Sequence, residues 1–137
     1  MKLNFSFSEL LYSNTAEQYR IKNIPDIEEA DNLLELIVYC LQPIRDKLNK
    51  PMIISSGYRC EELNNKIGGV KNSQHTKGQA VDFKAKGMTV KEVINFIVNN
   101  DFEFDQLINE YNKWVHISFK KDMNRKDVLY LNRSIGV

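Results

Sequence analysis

Cysteine, proline and glycine are all scarce in this chain of 137 residues, which has two cysteines, three prolines and six glycines. Two cysteines are too few for the disulfide framework of a small secreted protein. Cys40 and Cys60 form no CxxC pair, so they match no common zinc motif. We therefore interpret both as buried or half-buried thiols and expect synthesis in a reducing compartment.

A strong excess of one charge is also missing, because nineteen Lys and Arg oppose eighteen Asp and Glu for a net charge of +1. A protein that binds nucleic acid by electrostatics would show a basic excess, so we expect no nucleic-acid partner. No apolar run approaches the roughly 20 residues that span a bilayer, and we expect no membrane partner. The N-terminus lacks the pattern of a Sec signal, which predicts cytoplasmic synthesis. We also expect a monomer.

The length and the hydrophobic content of 42% predict one domain over 1–137. Ser8 is predicted to cap a short helix from Glu9, and residues 13–25 are predicted to form a loop. A long helix begins near Asp26, with a kink or break at Pro43. Its predicted core stripe includes Ile27, Leu33, Leu34, Ile37, Leu41, Ile44 and Leu48.

The chain after residue 50 alternates short strands and helices. The predicted elements are a strand at 52–56, a helix at 60–67, a loop at 70–78, a strand at 79–85, a helix opened by a capping box at Thr89, strands at 104–110 and 114–119, and a short element at 128–131. Helices first and strands afterwards indicate an α+β fold with helices packed on a small, mostly antiparallel sheet.

Three polar residues stand at unusual places in this pattern. His75 lies in the polar loop, while Asp82 and His116 each lie in the middle of an apolar strand. A carboxylate in such a strand is costly unless it is paired or bound to a metal. Two histidines and one carboxylate would leave one open position on a tetrahedral zinc ion, the arrangement of catalytic sites. The alternative is structural, with each side chain simply hydrogen-bonded within the strands.

Three motifs in order resemble those of the M15 zinc peptidases. Residues 73–82 read SQHTKGQAVD and match SxHxxGxAxD, residues 114–116 match WxH, and residues 56–59 match SGYR. The resemblance covers about residues 51–120. That family includes D-Ala-D-Ala carboxypeptidases, D,D-dipeptidases and phage endolysins, and the small single-domain members look most similar. The resemblance implies an M15/hedgehog-like peptidase fold with a catalytic zinc site on the sheet.

The resemblance also implies roles for individual residues. His75, Asp82 and His116 would hold one zinc ion, and Arg59 would face the active site to bind a substrate carboxylate or a developing oxyanion. The remaining implied substrate-binding or orienting residues are Tyr58, Ser73, Gln74 and Trp114. The implied substrate is a peptidoglycan stem peptide, cut by a carboxypeptidase or by an endolysin-type endopeptidase. Without a signal peptide, access to the cell wall would require holin-type release or lysis.

The general base is the one departure from the family pattern. Many members carry a Glu three residues before the last histidine, where this chain has Lys113. A three-residue turn at 111–113 would instead pair Glu110 with Trp114 and place Glu110 on the face that carries His116. We therefore hypothesise that Glu110 is the general base and acid. Its alternative is an exposed carboxylate at the edge of a turn.

Two other functions compete with hydrolysis at this stage. A non-catalytic zinc-binding module of a phage or cell-wall-associated protein would keep the metal without a base, and Lys113 favours it. A metal-free interaction domain would use both histidines structurally. Metal analysis and a hydrolysis assay distinguish the three possibilities.

Overall fold

The computed structural model describes residues 2–132; residue 1 and residues 133–137, the ends of the predicted domain, lie outside this range. The N-terminal part contains α1 (Phe7–Leu11), α2 (Asn14–Tyr19), α3 (Ile27–Leu36), a π-helical turn (Ile37–Leu41) and α4 (Gln42–Leu48). The rest contains β1 (Met52–Ser56), α5 (Glu61–Lys66), a 3₁₀ turn (Gln74–Lys77), β2 (Ala80–Ala85), α6 (Val90–Asn99), β3 (Gln106–Glu110), β4 (Trp114–Ser118) and β5 (Asp127–Leu131). Among residues 2–132, no helix has both the length and the apolar character needed to cross a bilayer.

The five strands form one sheet in the order β1-β2-β4-β3-β5, and every neighbouring pair except β3 and β5 is antiparallel. The predicted α+β fold with a mostly antiparallel sheet is therefore confirmed. Alternate side chains of a strand point to opposite faces, so Val81, Phe83, Val115 and Ile117 enter the core. Asp82 and His116 consequently belong to the other face.

The N-terminal helices differ from the prediction in two places. Ser6, and not Ser8, caps α1 by accepting a hydrogen bond from the Glu9 backbone at 3.2 Å. The predicted loop at 13–25 was wrong, because Ser13 caps α2 in the same way through the Ala16 backbone. Both helices are short and are defined by their caps, which a search for long apolar periodicity overlooks.

Pro43 does not break the helix, because the backbone stays helical from α3 through the π-helical turn into α4. The chain accommodates the proline through the π-helical turn before it, where the Gln42 N–H donates to the Ile37 carbonyl five residues back. The predicted core stripe is partly wrong, because Ile27 is 84% exposed and Leu34 is 46% exposed. The buried stripe passes instead through Leu33, Leu36, Ile37, Cys40, Leu41, Ile44 and Leu48, so Leu34, about 100° around the helix from Leu33, faces outward.

The helices approach the functional end of the sheet so closely that glycine is required at two contacts. A Cβ at Gly57 would lie 2.2 Å from the Leu10 carbonyl oxygen, and a Cβ at Gly78 would lie 2.3 Å from the Glu29 carbonyl oxygen. Gly78 also has φ +73°, which favours glycine. The backbone of α1 and of α3 therefore rests directly against the SGYR and SxHxxG motifs themselves.

This contact predicts a large difference between two glycine substitutions. We expect Gly78→Ala to lower the free energy of unfolding by clearly more than the roughly 1–2 kcal/mol that a left-handed conformation costs an L-residue. Gly87 has the same kind of backbone, with φ +76°, but nothing lies within 4 Å of its added Cβ. Gly87→Ala should therefore lower the free energy of unfolding only by the cost of the left-handed backbone conformation. Urea unfolding of both variants measures the difference, and equal losses would contradict the close packing.

Candidate metal centre

His75 is held by two contacts that fix the direction of its ring. It lies in the 3₁₀ turn capped by Ser73, whose hydroxyl accepts a hydrogen bond from the His75 backbone at 3.2 Å. The His75 Nδ1 atom lies 2.7 Å from the Gly57 carbonyl oxygen, which can only accept a hydrogen bond. Nδ1 therefore carries the proton and leaves Nε2 as the atom that can bind a metal.

Asp82 and His116 are direct neighbours across β2 and β4. The Asp82 Oδ1 atom lies 3.0 Å from His116 Nδ1 and 3.3 Å from His75 Nε2. One ligand atom from each of these three buried residues lies within 4.8 Å of the others. Because two ligands of a tetrahedral zinc ion are roughly 3.3–3.4 Å apart, these separations suit a single ion.

The electrostatics of the three side chains also favour a bound cation. Burial lowers the pKa of the His75 imidazole, and Asp82 only partly offsets this, which favours the uncharged ring. Burial acts to raise the pKa of the Asp82 carboxyl, but the two imidazoles outweigh it and hold the pKa well below its usual range. The lone pair of His75 Nε2 thus faces a carboxylate oxygen at 3.3 Å. A cation between these two atoms would satisfy both, so the residues present fit a metal ion.

Glu110 lies beside this group at the end of β3. It pairs with Trp114 across the turn, and its Oε1 atom lies 3.7 Å from His116 Nδ1. Burial and, secondly, the charge of Asp82 raise the pKa of the Glu110 carboxyl. Lys113 lies in the turn and does not line the cavity over His75, Asp82 and His116.

Arg59 reaches the same group from the chain after β1. Its Nη2 atom lies 3.6 Å from Asp82 Oδ2, and its Nε and Nη1 atoms donate to Ser56 Oγ at 3.2 Å and to Asn64 Oδ1 at 3.3 Å. Burial lowers the pKa of the guanidinium, although Asp82 and Glu110 act against this. An arginine remains charged in any protein environment. The structure therefore fixes a cation at the edge of the site.

A cavity of about 530 Å³ opens over these residues. Ser73, Gln74 and Trp114, which the sequence analysis assigned to substrate binding or orientation, all line it. Tyr58 does not, because its side chain is buried and its hydroxyl donates to Glu29 Oε1 at 2.8 Å. The predicted role of Tyr58 in shaping this cavity is corrected to a link between the SGYR segment and α3.

Asn23 is a residue of the site's support that the sequence did not indicate. Its side-chain amide donates to the carbonyl oxygens of Leu11 and Tyr58 at 2.9 and 2.8 Å. Its oxygen accepts a hydrogen bond from the Cys60 backbone at 2.7 Å. Asn23 thus fixes the backbone on both sides of residue 59. A single Asn within a polar segment carries no pattern that could have revealed these distant partners.

Asp105 is a second support that the sequence did not indicate. It is fully buried and receives bonds from Arg125 Nε at 2.9 Å, Arg125 Nη2 at 2.8 Å and the Arg125 backbone at 3.0 Å. Gln74 Nε2, next to the metal ligand His75, also donates to it at 3.1 Å. Asp105 therefore ties the segment between β4 and β5 to the turn that carries His75.

This arrangement predicts acid sensitivity. The hydrogen bonds from Arg125 lower the pKa of Asp105 from 3.8 to about 2. Because the folded pKa lies below the unfolded one, ionised Asp105 stabilises the protein fully above about pH 4, and this stabilisation is lost as the pH falls towards about 2. The shift corresponds to at most about 2 kcal/mol. We expect Asp105→Asn to lower the free energy of unfolding at pH 7 and to flatten its dependence on pH in this window. Urea unfolding at several pH values tests this. If the free energy of unfolding depended on pH equally in the variant and the wild type, the result would contradict the prediction.

A buried His-Asp-His group on the sheet, with a carboxylate and an arginine beside it, could hold a metal ion. The family described as Peptidase M15 matches residues 3–118. The chain therefore belongs to the peptidase M15 family.

Curated relatives match a shorter part of the chain. It is 41% identical over 49 residues to the peptidoglycan L,D-endopeptidase MepK of Escherichia coli K12, and the same values hold for MepK of Shigella flexneri. The matched segment covers 32% of this chain and 27% of each relative. The chain thus matches only about a quarter of the length of these relatives.

Proposed function

We propose that the protein is a zinc-dependent peptidase that hydrolyses peptidoglycan stem peptides. The observation that supports this most strongly is the meeting of His75, Asp82 and His116 with Glu110 beside them. Membership of the peptidase M15 family supports a peptidase, and the name of the MepK relatives supports peptidoglycan as the substrate. The bond cut would be that of a carboxypeptidase or of an endopeptidase.

His75, Asp82 and His116 would hold the zinc ion through two nitrogen atoms and one oxygen atom. A zinc ion with three protein ligands keeps a fourth position for water, lowers the pKa of that water to about 7 and polarises a carbonyl. Ser73 and the Gly57 carbonyl would keep the His75 ring in its binding orientation, since both bond to that residue.

Glu110 would accept the proton of the attacking water and then donate it to the leaving amine. Its raised pKa suits both steps, because a group that gains and loses a proton works best near the operating pH. Its position 3.7 Å from a metal-ligating nitrogen brings the carboxylate to the reacting atoms.

Arg59 would bind a carboxylate of the substrate or stabilise negative charge on the scissile carbonyl oxygen. Its guanidinium is already held by Ser56 and Asn64, so binding requires little further ordering. Trp114 would help to shape the cavity that it lines, while its indole nitrogen is buried. It does lie close enough to Glu110 to oppose the rise in that carboxyl's pKa slightly.

Digestion of purified peptidoglycan tests this proposal. The zinc-loaded protein is incubated with peptidoglycan and with defined muropeptides, and the released fragments are identified by mass spectrometry. We expect peptide fragments that disappear with a chelator and return when zinc is restored, and their masses identify the bond. Zinc binding without any released fragment would instead favour a non-catalytic zinc-binding module.

A further inference from the structure

The cavity over the metal centre continues past the ligands, away from the proposed base. Glu110, Ile108 and Gln106 lie on one face of β3, and Ile108 pairs with His116. Alternate residues of a strand are roughly 6.6–6.8 Å apart. Gln106 therefore lies about 7 Å along β3 from Ile108, the residue that pairs with His116, and Glu110 lies about as far in the other direction. Lys120 and Arg125 line the cavity together with Gln106.

Buried Asp105 holds Arg125 by hydrogen bonds and lies near Lys120. Arg125 binds it through Nε and Nη2, and Lys120 Nζ lies 3.9 Å from Asp105 Oδ2. These contacts leave the Nη1 group of Arg125 and the hydrogens of Lys120 for another partner. The two side chains are 53% and 38% exposed, so a ligand in the cavity can reach them. One carboxylate thus lies beside two cations and neutralises only one charge.

The charges along the whole cavity wall show the same imbalance. Four cationic residues line it, namely Arg59, Lys77, Lys120 and Arg125, whereas its acidic residues are Asp82 and Glu110. Both acids already belong to the proposed metal ligands and base. The whole chain carries a net charge of only +1, so the excess is local to the cavity. Such a cavity attracts anionic ligands.

We propose that Lys120 and Arg125 form a subsite for a carboxylate of the peptide substrate. This inference rests on the proposed peptidase function and adds a specificity to it. An extended peptide advances roughly 3.3–3.6 Å per residue, so a substrate that runs from the proposed metal ligands past Gln106 would present an acidic group about two residues from the scissile bond to Lys120 and Arg125. Arg59 lies on the β1 side of the sheet and is a separate anchor.

Matched peptides test the subsite. We compare pairs of stem peptides that differ only in one group, a free carboxylic acid or its carboxamide. In one series this group is a side-chain carboxyl, and in the other it is the C-terminal carboxyl. A hydrogen bond to a charged group is worth about 1.5–3 kcal/mol, so kcat/KM should be at least about tenfold higher for the acid in the series that uses the subsite. The series that shows the preference identifies the source of the carboxylate.

The variants use a matched control. Lys120→Gln should remove most of this preference by raising KM for the acid towards its value for the carboxamide. Lys121→Gln removes the neighbouring exposed cation, which does not line the cavity, and should keep the preference. Because Arg125→Gln alone would leave the buried Asp105 unpaired, it is combined with Asp105→Asn, and this double variant should also lose the preference.

Binding provides a readout that does not depend on hydrolysis. Trp114 is the chain's single tryptophan and lines the cavity, so its fluorescence reports peptide binding. The acid should bind about tenfold more tightly than the carboxamide to Glu110→Gln, and Lys120→Gln in that background should abolish the difference. Equal binding of acid and carboxamide would overturn the subsite. Absence of hydrolysis with preferential binding of the acid would overturn only the peptidase function.

Discussion

Replacement of Glu110 by glutamine is expected to lower kcat by about 10²–10⁴-fold while the protein still binds one zinc ion per chain. Glutamine has nearly the shape of glutamate but cannot accept a proton, so the variant removes the proposed base and leaves the three ligands in place. The measurement is turnover of a defined muropeptide, together with the zinc content of the same preparation.

Two further variants make the Glu110 result specific. Glu103→Gln changes an exposed carboxylate that pairs with Lys126 outside the cavity, and it should leave kcat unchanged. Lys113→Gln changes the position where many family members carry the base, and it should also have little effect because Lys113 does not line the cavity. Full activity of Glu110→Gln would refute the assignment of this residue.

The second large effect is expected for Asp82→Asn. Asparagine keeps the size of the side chain but loses the negative charge that lies 3.0–3.3 Å from the two ligand nitrogens. Zinc affinity should fall by more than the roughly 10–100-fold that loss of an outer-shell partner costs, and hydrolysis should fall with it at limiting zinc. Competition with a chromophoric chelator measures the affinity.

Asp101→Asn provides the control for this charge change. Asp101 is almost fully exposed and pairs with Lys126 rather than with any of the three proposed ligands, so zinc affinity should not change. Retention of wild-type zinc affinity by Asp82→Asn would mean that the ion binds elsewhere.

The sequence predicted the faces of the site's strands because strand alternation is local, whereas the meeting of His75, Asp82 and His116 was implied by the resemblance to the M15 peptidases. Strand alternation put Asp82 and His116 on the face opposite the core, and the length of the turn at 111–113 set the face of Glu110. The structure has both features, with Glu110 opposite Trp114 and with Tyr111 and Asn112 at φ near +60° in the turn.

The supports of the site could not be predicted because they depend on distant contacts. Asn23 bonds to residues 35 and 37 positions away, and Asp105 bonds to Arg125 twenty positions away. No periodicity or motif encodes such pairs in a single sequence. Tyr58 shows the opposite error. Its place in the SGYR motif predicted a substrate-binding role, but its hydroxyl donates a hydrogen bond to Glu29 of α3.

The N-terminal helices have a physical role in the site that the motifs alone did not reveal. Their backbone carbonyls at Leu10 and Glu29 rest on Gly57 and Gly78, which flank Arg59 and His75 in the chain. The Leu10 carbonyl also accepts a hydrogen bond from the Tyr58 backbone at 2.8 Å. This packing explains why a site assembled from residues 56–116 depends on the helices that precede it.

The central claim is that His75, Asp82 and His116 hold one zinc ion and leave a position on it free of protein groups. Anomalous diffraction at the zinc edge from crystals of the zinc-loaded protein tests this most directly. We predict one peak within bonding distance of His75 Nε2, an Asp82 oxygen and His116 Nδ1, with a water molecule as the fourth ligand. A peak elsewhere, or a fourth ligand supplied by the protein, would contradict the account.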